Sequence, residues 1–229
     1  MLVLTAAVAA DRIAARMAAG RLETRLACLA DLSAPARVDV RGFPFLAQAA
    51  AGRYREIVVT ATDISRGGLR VARVEAVLRD LRTGDGRTSV GELAVAATAG
   101  FDSLPTSLGE RPVRYSARGD RLAITTELAL AGQRQPVTIL ALPRLTDGTL
   151  TIQPETVEVL GIQRPAERLL ARVGLDRLPS RALPSLAEGL TYRSVEVVDD
   201  GLRITVDGHD LSTGATGSGR GDVHCGRRR

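Results

Sequence analysis

Lysine, asparagine and tryptophan are absent from this sequence, and aromatic residues of any kind are scarce: three Phe and three Tyr in 229 residues. Each absence closes off some chemistry. Without Lys a Walker-type phosphate loop cannot be built in its usual form, and no glycine triplet follows a strand as in a dinucleotide-binding turn. With so few rings there is little on which bases could stack. The 31 basic residues are all Arg and are spread along the chain, apart from Arg227 to Arg229. Nucleic acid is therefore not an expected partner. The two histidines, His209 and His224, leave little for acid–base work. His209 stands near Asp207 and Asp210, but no Gly-x-Ser-x-Gly elbow supplies a nucleophile. The pair Asp199-Asp200 falls in a turn, where Asp is favoured for backbone reasons. Cys28 and Cys225 lie near opposite ends of the chain. The sequence leaves open either one disulfide in an oxidising compartment or an unpaired thiol in a Gly-rich tail, and neither Cys has the neighbours of a metal site. The expectation is a protein that is not an enzyme and carries no metal or cofactor.

What is present is aliphatic. Hydrophobic residues make up 45 % of the chain and aromatics only 3 %, so the core must be built from Leu, Val, Ala and Ile. A chain of this size buries about 70 to 75 % of its unfolded surface, so a full core is available. Such an interior suits acyl chains, although the same residue usage is what a GC-rich coding sequence imposes on any protein. The net charge of +5 and pI near 10.1 come from Arg. Dispersed Arg normally marks a solvated face; where some of it gathers in space, each cation near an anionic membrane adds about 1 kcal/mol of attraction.

Met1 to Ala10 is apolar and uncharged, but about half the roughly 20 residues a helix needs to span a bilayer. It reads equally as the end of a signal peptide or membrane anchor and as a buried helical turn. Asp11 can cap a helix that strong helix formers extend from Arg12 to Leu32. Its apolar positions Ile13 and Met17, then Leu22, Leu26 and Leu29, step by three and four with a slip near Gly20. Ser33-Ala34-Pro35 ends it. Val38 and Val40 alternate with charged residues as a short strand. Past Gly52 the pattern turns to β. Ile57, Val59 and Ala61 alternate, Leu69 to Leu81 is one long strand, and Gly84-Asp85-Gly86 breaks it. Gly91 to Phe101 is a further strand, followed by a loop or helical turn around Pro105. Leu122, Ile124, Thr126, Leu128 and Leu130 then share one face, with Arg121, Thr125 and Glu127 on the other, which predicts a dry face and a wet face. Turn signals at Arg118-Gly119-Asp120, Gly132-Gln133, Asp147-Gly148 and Asp200-Gly201 predict antiparallel hairpins. Pro143 and Pro154 mark strand ends, edges or bulges. A second helix is predicted from Pro165 through Val173, stopped by Gly174, with Leu169, Leu170 and Val173 buried. From 213 to 229 the chain has no apolar pattern and reads as a disordered basic tail.

The densest aromatic stretch, GFPFLAQAAAGRY at 42–54, joins the first strand to the second. Gly42 permits an unusual turn, Pro44 fixes its own φ, and Gly52 closes the segment. From residue types alone it is a hydrophobic plug at a corner of the fold. In order, GFPFLAQAAAGRY followed by REIVVTATDI resembles the signature segment of the LmeA-like phospholipid-binding proteins of the actinobacterial cell envelope. Leu183 to Asp210 is similar to the closing hairpin of the same family. The resemblance implies an α+β, tubular lipid-binding-like fold: a long curved antiparallel β-sheet wrapped around one or two helices. It implies residues 1–10 as the remnant of a signal or anchor segment and residues 11–212 as a single lipid-binding domain. The function it implies is that of a non-enzymatic phospholipid carrier or presenter, extracytoplasmic and membrane-associated, facing an anionic membrane surface, with phosphatidylinositol one candidate ligand. Acyl chains would lie in an apolar groove or tunnel touching Phe43, Pro44, Phe45, Leu46, Tyr54, Ile57, Val59, Leu122, Ile124, Leu128, Leu169 and Leu170, with Phe43, Phe45 and Leu46 as a membrane-dipping tip or a lid. The alternative is an envelope scaffold module with a filled core and no ligand.

Overall fold

The computed structural model describes residues 2–30, 36–66, 69–130, 133–172, 178 and 180–213. Over these residues the chain is an α+β fold, mostly antiparallel sheet with few helices. The order begins α1 (Leu2–Ala30), β1 (Arg37–Arg41), α2 (Phe45–Ala51), β2 (Arg53–Arg66), β3 (Leu69–Gly84) and β4 (Arg87–Gly100). After a 3-10 turn at Phe101–Ser103 come β5 (Ser107–Leu108), β6 (Arg111–Pro112), β7 (Arg114–Arg118), β8 (Arg121–Leu130), β9 (Gln133–Thr146) and β10 (Thr149–Val159). The chain continues with β11 (Ile162–Pro165), α3 (Ala166–Arg172), β12 (Arg181–Ala182), β13 (Leu190–Val198) and β14 (Gly201–Thr213). One six-stranded sheet runs β1-β2-β3-β4-β14-β13; another runs β11-β10-β9-β8-β7 with β12 on β10, and β5 pairs with β6. By contacts the chain forms two compact units, the first taking in Met1–Ala97, Glu188–Thr191 and Val206–Arg229, the second Thr98–Ala187 and Tyr192–Thr205.

In the first unit α1 begins at Leu2 rather than after Asp11 and continues through Gly20. The run before Asp11 is made of good helix formers with no Gly or Pro to stop it, and Asp11 does not cap α1 because its carboxylate is engaged elsewhere. The expected stripe is not the packed one. Ile13 and Met17 are 56 % and 58 % exposed and Leu22 is also exposed, whereas Ala15 and Ala19 are buried among Val38, Val40, Phe45 and Ile57. The packed face of α1 is thus made of small side chains, and the larger Ile13 and Met17 lie off it. Leu26 is partly buried in the same cluster, and Ser33 to Pro35 lies outside the described residues. Strand β1, at the edge of its sheet, alternates exposed and buried as expected, and Glu23 accepts the Val38 N–H at 2.8 Å. A row of charge, Asp39–Arg41–Glu56–Arg79–Glu92, crosses β1 to β4 with gaps of 3.1, 2.8, 3.3 and 3.4 Å. Glu56, held between Arg41 and Arg79, titrates below its ordinary value.

In the second unit β8 carries Leu122, Ile124, Thr126 and Leu128 buried, as its alternation predicts. Thr126 is accommodated because its hydroxyl donates to the Pro112 carbonyl at 2.9 Å. The opposite face is not simply wet: Ala123 and its cross-strand partner Leu140 on β9 are buried too. A register shift at Pro154–Thr156 puts a bulge where Pro154 signals one. In α3, Ala166 and Leu170 are fully buried and Leu169 is half-buried; Val173 and Gly174 lie outside the described residues.

Two glycines of the first unit are expected to respond oppositely to Ala. Gly20 sits within α1 with nothing within 4 Å of a built Cβ, so Gly20→Ala should stabilise by about 0.5 to 1 kcal/mol in chemical denaturation. Gly52 ends α2 at φ +60, and a Cβ there would run into the Thr83 carbonyl. Gly52→Ala should therefore destabilise by about 1 kcal/mol or more.

Candidate functional site

The second unit contains an apolar cavity of about 240 Å³. Leu122 and Ile124 enter it from one face of β8, with Tyr115 on β7 directly across from Ile124. Leu150 and Ile152 come from β10, Leu202 from β14, Leu104 and Pro105 from the loop after the 3-10 turn, and Leu108 from β5. Leu108, Leu122, Ile124 and Leu202 belong to the unit's buried core, so the cavity is a gap in that core rather than a separate dent. Its exposed rim carries Pro105, Ser180 and Arg181. Arg181 is placed by pairing with Leu150, and the neighbouring segment is pinned where Leu183 N–H donates to the Gly148 carbonyl and the Tyr192 hydroxyl to the Pro184 carbonyl, each at 2.8 Å. Among the described residues Arg181 takes part in no salt bridge. Burial pushes the Tyr115 hydroxyl above its usual value, so it stays neutral at physiological pH. The lining is aliphatic apart from one phenol, one hydroxyl and one guanidinium: a surface that accepts methylene groups and offers hydrogen-bond donors from Ser180 and Arg181 at its rim.

The chain belongs to the LmeA-like phospholipid-binding family. The family model matches residues 9–207, a span that includes every residue around the cavity. The family is a phospholipid-binding one rather than an enzyme family. Comparison with curated proteins and with solved structures gives no match. No helix among the described residues is long and apolar enough to cross a membrane.

The twelve residues expected to touch lipid fall in both units. Leu122 and Ile124 line the cavity; Leu128 and Leu170 are fully buried in the same unit's core, and Leu169 packs half-buried against it. Phe43, Pro44, Phe45, Leu46, Tyr54, Ile57 and Val59 are in the first unit. The lining residues Leu104, Leu108, Tyr115, Leu150, Ile152, Leu202, Ser180 and Arg181 were not foreseen. The alternation of Leu150 and Ile152 could have flagged their shared face. Nothing local marks a loop such as 104–108 as part of a wall.

At 42–54 the structure contains α2, a helix the sequence reading missed although Pro44 just before it and Gly52 just after it are the usual start and stop signals. Gly42 turns at φ +103, and the Phe43–Pro44 peptide is cis. The first turn of α2 is capped from a distance: both Asp11 carboxylate oxygens accept backbone N–H groups, from Phe45 at 3.0 Å and Leu46 at 2.9 Å. The Gln48 side-chain carbonyl accepts the Arg55 N–H at 2.9 Å and joins α2 to β2. Phe45 is buried, its ring 6.4 Å from that of Tyr54, while Phe43 and Leu46 on either side are 47 % and 52 % exposed.

Phe45→Ala should cost about 3 to 5 kcal/mol in denaturant unfolding, and Phe43→Ala no more than about 0.5 kcal/mol. The Leu46 N–H, and after it the Phe45 N–H, hold the Asp11 carboxyl below its ordinary value. Since the folded value is the lower one, this contribution is complete above the unfolded value and fades as pH falls through the folded one. Asp11→Asn should therefore lower the Tm at neutral pH and flatten its decline below about pH 4, measured by thermal melts across the acid range.

Proposed function

We propose that this protein is a non-enzymatic carrier or presenter of phospholipid in the cell envelope, holding an acyl chain in the cavity of the second unit with the phosphate beside Arg181. The observation that carries the reading is the cavity itself: aliphatic walls with, on the rim, one cation that is in no salt bridge among the described residues, in a chain of a phospholipid-binding family. A volume near 240 Å³ is on the order of eight water-sized groups and lies below the roughly 300–1,000 Å³ of sites that enclose a whole drug-sized ligand. It suits a length of one chain rather than an entire diacyl lipid. Burying about eight methylenes is worth about 6 kcal/mol relative to water. Relative to a bilayer, which is equally apolar, the transfer is nearly balanced, and that balance lets a carrier both load and release. Arg181 then donates charge-assisted hydrogen bonds to a phosphate oxygen, phosphatidylinositol being one candidate for the headgroup. The outer side of the cytoplasmic membrane is the proposed location.

The test is mass spectrometry of an organic extract of the purified protein, beside a native-mass spectrum of the intact complex. A stoichiometric phospholipid is expected. Ile152→Trp, which fills the cavity from a half-buried position, should reduce loading about tenfold or more, and Arg181→Gln should weaken the preference for anionic over zwitterionic lipid. A protein that purifies empty and cannot be loaded from phospholipid vesicles would overturn the reading and favour a scaffold without a ligand.

A further inference from the structure

We infer that the corner where α1 meets α2 is a docking surface for an anionic lipid leaflet, with Phe43 and Leu46 as the inserted side chains and Arg12 and Arg16 at the level of the lipid phosphates. The inference rests on the lipid-handling reading above and assigns its membrane contact to particular residues of the first unit. Phe43 and Leu46 are about half exposed, whereas Phe45 between them is buried in the unit's core. Their backbone is also fixed, since Asp11 holds the first turn of α2. An apolar pair is thus presented rigidly to solvent.

The charge beside it that lies outside the described salt bridges is positive. The Arg12 guanidinium lies 5.5 Å from the Phe43 ring centroid, over its face, and Arg16 follows one turn later on α1. Both border a shallow cleft beside β1, and neither takes part in a salt bridge among the described residues. Two carboxylates lie nearby, and Asp11 attracts Arg12, though only as the smallest influence on its own carboxyl. Asp11 is only 3 % exposed with both oxygens occupied, and Asp39 is held by Arg41 at 3.1 Å. Beside the exposed Asp39–Arg41 pair, what faces outward is two apolar side chains and two cations, a combination suited to the interface of an anionic bilayer. It is too small for a stable protein partner, which buries roughly 1,200 to 2,000 Å² in total.

Because the chain contains no Trp, Phe43→Trp and Leu46→Trp each create a single tryptophan, excited apart from the three Tyr, at the proposed contact. With vesicles of phosphatidylcholine and phosphatidylglycerol in equal parts, both should shift to the blue and be quenched by brominated acyl chains, and both effects should weaken with added salt or without phosphatidylglycerol. Replacing Arg12 and Arg16 together by Gln should lower vesicle affinity about tenfold or more. Phe43→Ser with Leu46→Ser should do the same while leaving lipid in the organic extract unchanged. Emission that stays at its aqueous position at both sites would overturn the inference, as would a shift confined to Leu160→Trp, a probe on the exposed β10–β11 turn of the second unit. Lipid loading without vesicle binding removes this inference alone; vesicle binding without loading removes the carrier reading alone.

Discussion

Filling space with branched aliphatic side chains alone is the constraint on which the rest depends. Wide gaps between a sheet and the loops over it are usually closed by rings, and the second unit has only Phe101, Tyr115 and Tyr192. Its core closes tightly where strands and α3 stack Leu, Ile and Val in register, at Leu128, Val137, Ile139, Val157 and Leu170. Where the wall opposite the sheet becomes the loop at 104–108 and the short β12, Leu side chains reach only part of the way. A gap that loses dispersion contacts is ordinarily destabilising, by an amount that grows with its volume. Such a gap persists more readily where an apolar occupant makes good the lost contacts, and that is the physical link between this composition and a lipid-binding family.

The first unit solves a different problem with one carboxylate. Capping α2 requires acceptors for its first N–H groups, and burying Asp11 requires donors for its charge; each deficit supplies what the other lacks. The result ties two helices distant in sequence without using apolar surface. That frees the side chains around the tie to divide by position, Phe45 inward to Tyr54 and its neighbours outward. The face of α1 that packs is its Ala face, with Ile13 and Met17 turned to the exposed side.

Much of the fold was legible where the period was clean and the turn residues unambiguous. The strands around Val38 and Val40 and from Leu122 to Leu128 follow their alternation, and Asp85-Gly86, Gly119 and Asp147-Gly148 adopt the positive φ that their turn chemistry predicts. The site was less so. Leu122 and Ile124 were legible because alternation assigns a face; alternation cannot say which part of that face is left uncovered. The misreading of α1 has a similar cause. Sequence ranks side chains by hydrophobicity, but close helix–strand packing selects by size, and Ala15 and Ala19 carry no signal until the distance to β1 is known. Asp11 was read as a cap and is one, for a helix more than thirty residues away.

The size of the cavity bears on how a lipid would be handled there. On the proposed reading, one length of acyl chain is enclosed and the second chain and headgroup are not. A gross gain of about 6 kcal/mol, set against the several kcal/mol lost in immobilising a ligand, gives at best loose retention in water, weaker than even the marginal membrane binding of a single myristoyl chain. Such a complex is poorly suited to long journeys through solvent and well suited to short ones at a surface, where the uncovered chain stays in the bilayer and the headgroup, steadied by Arg181, stands clear of it. Presentation of a partly raised lipid to another membrane component follows more readily from this geometry than complete extraction, because extraction would leave the second chain exposed to water at about 0.8 kcal/mol for every methylene.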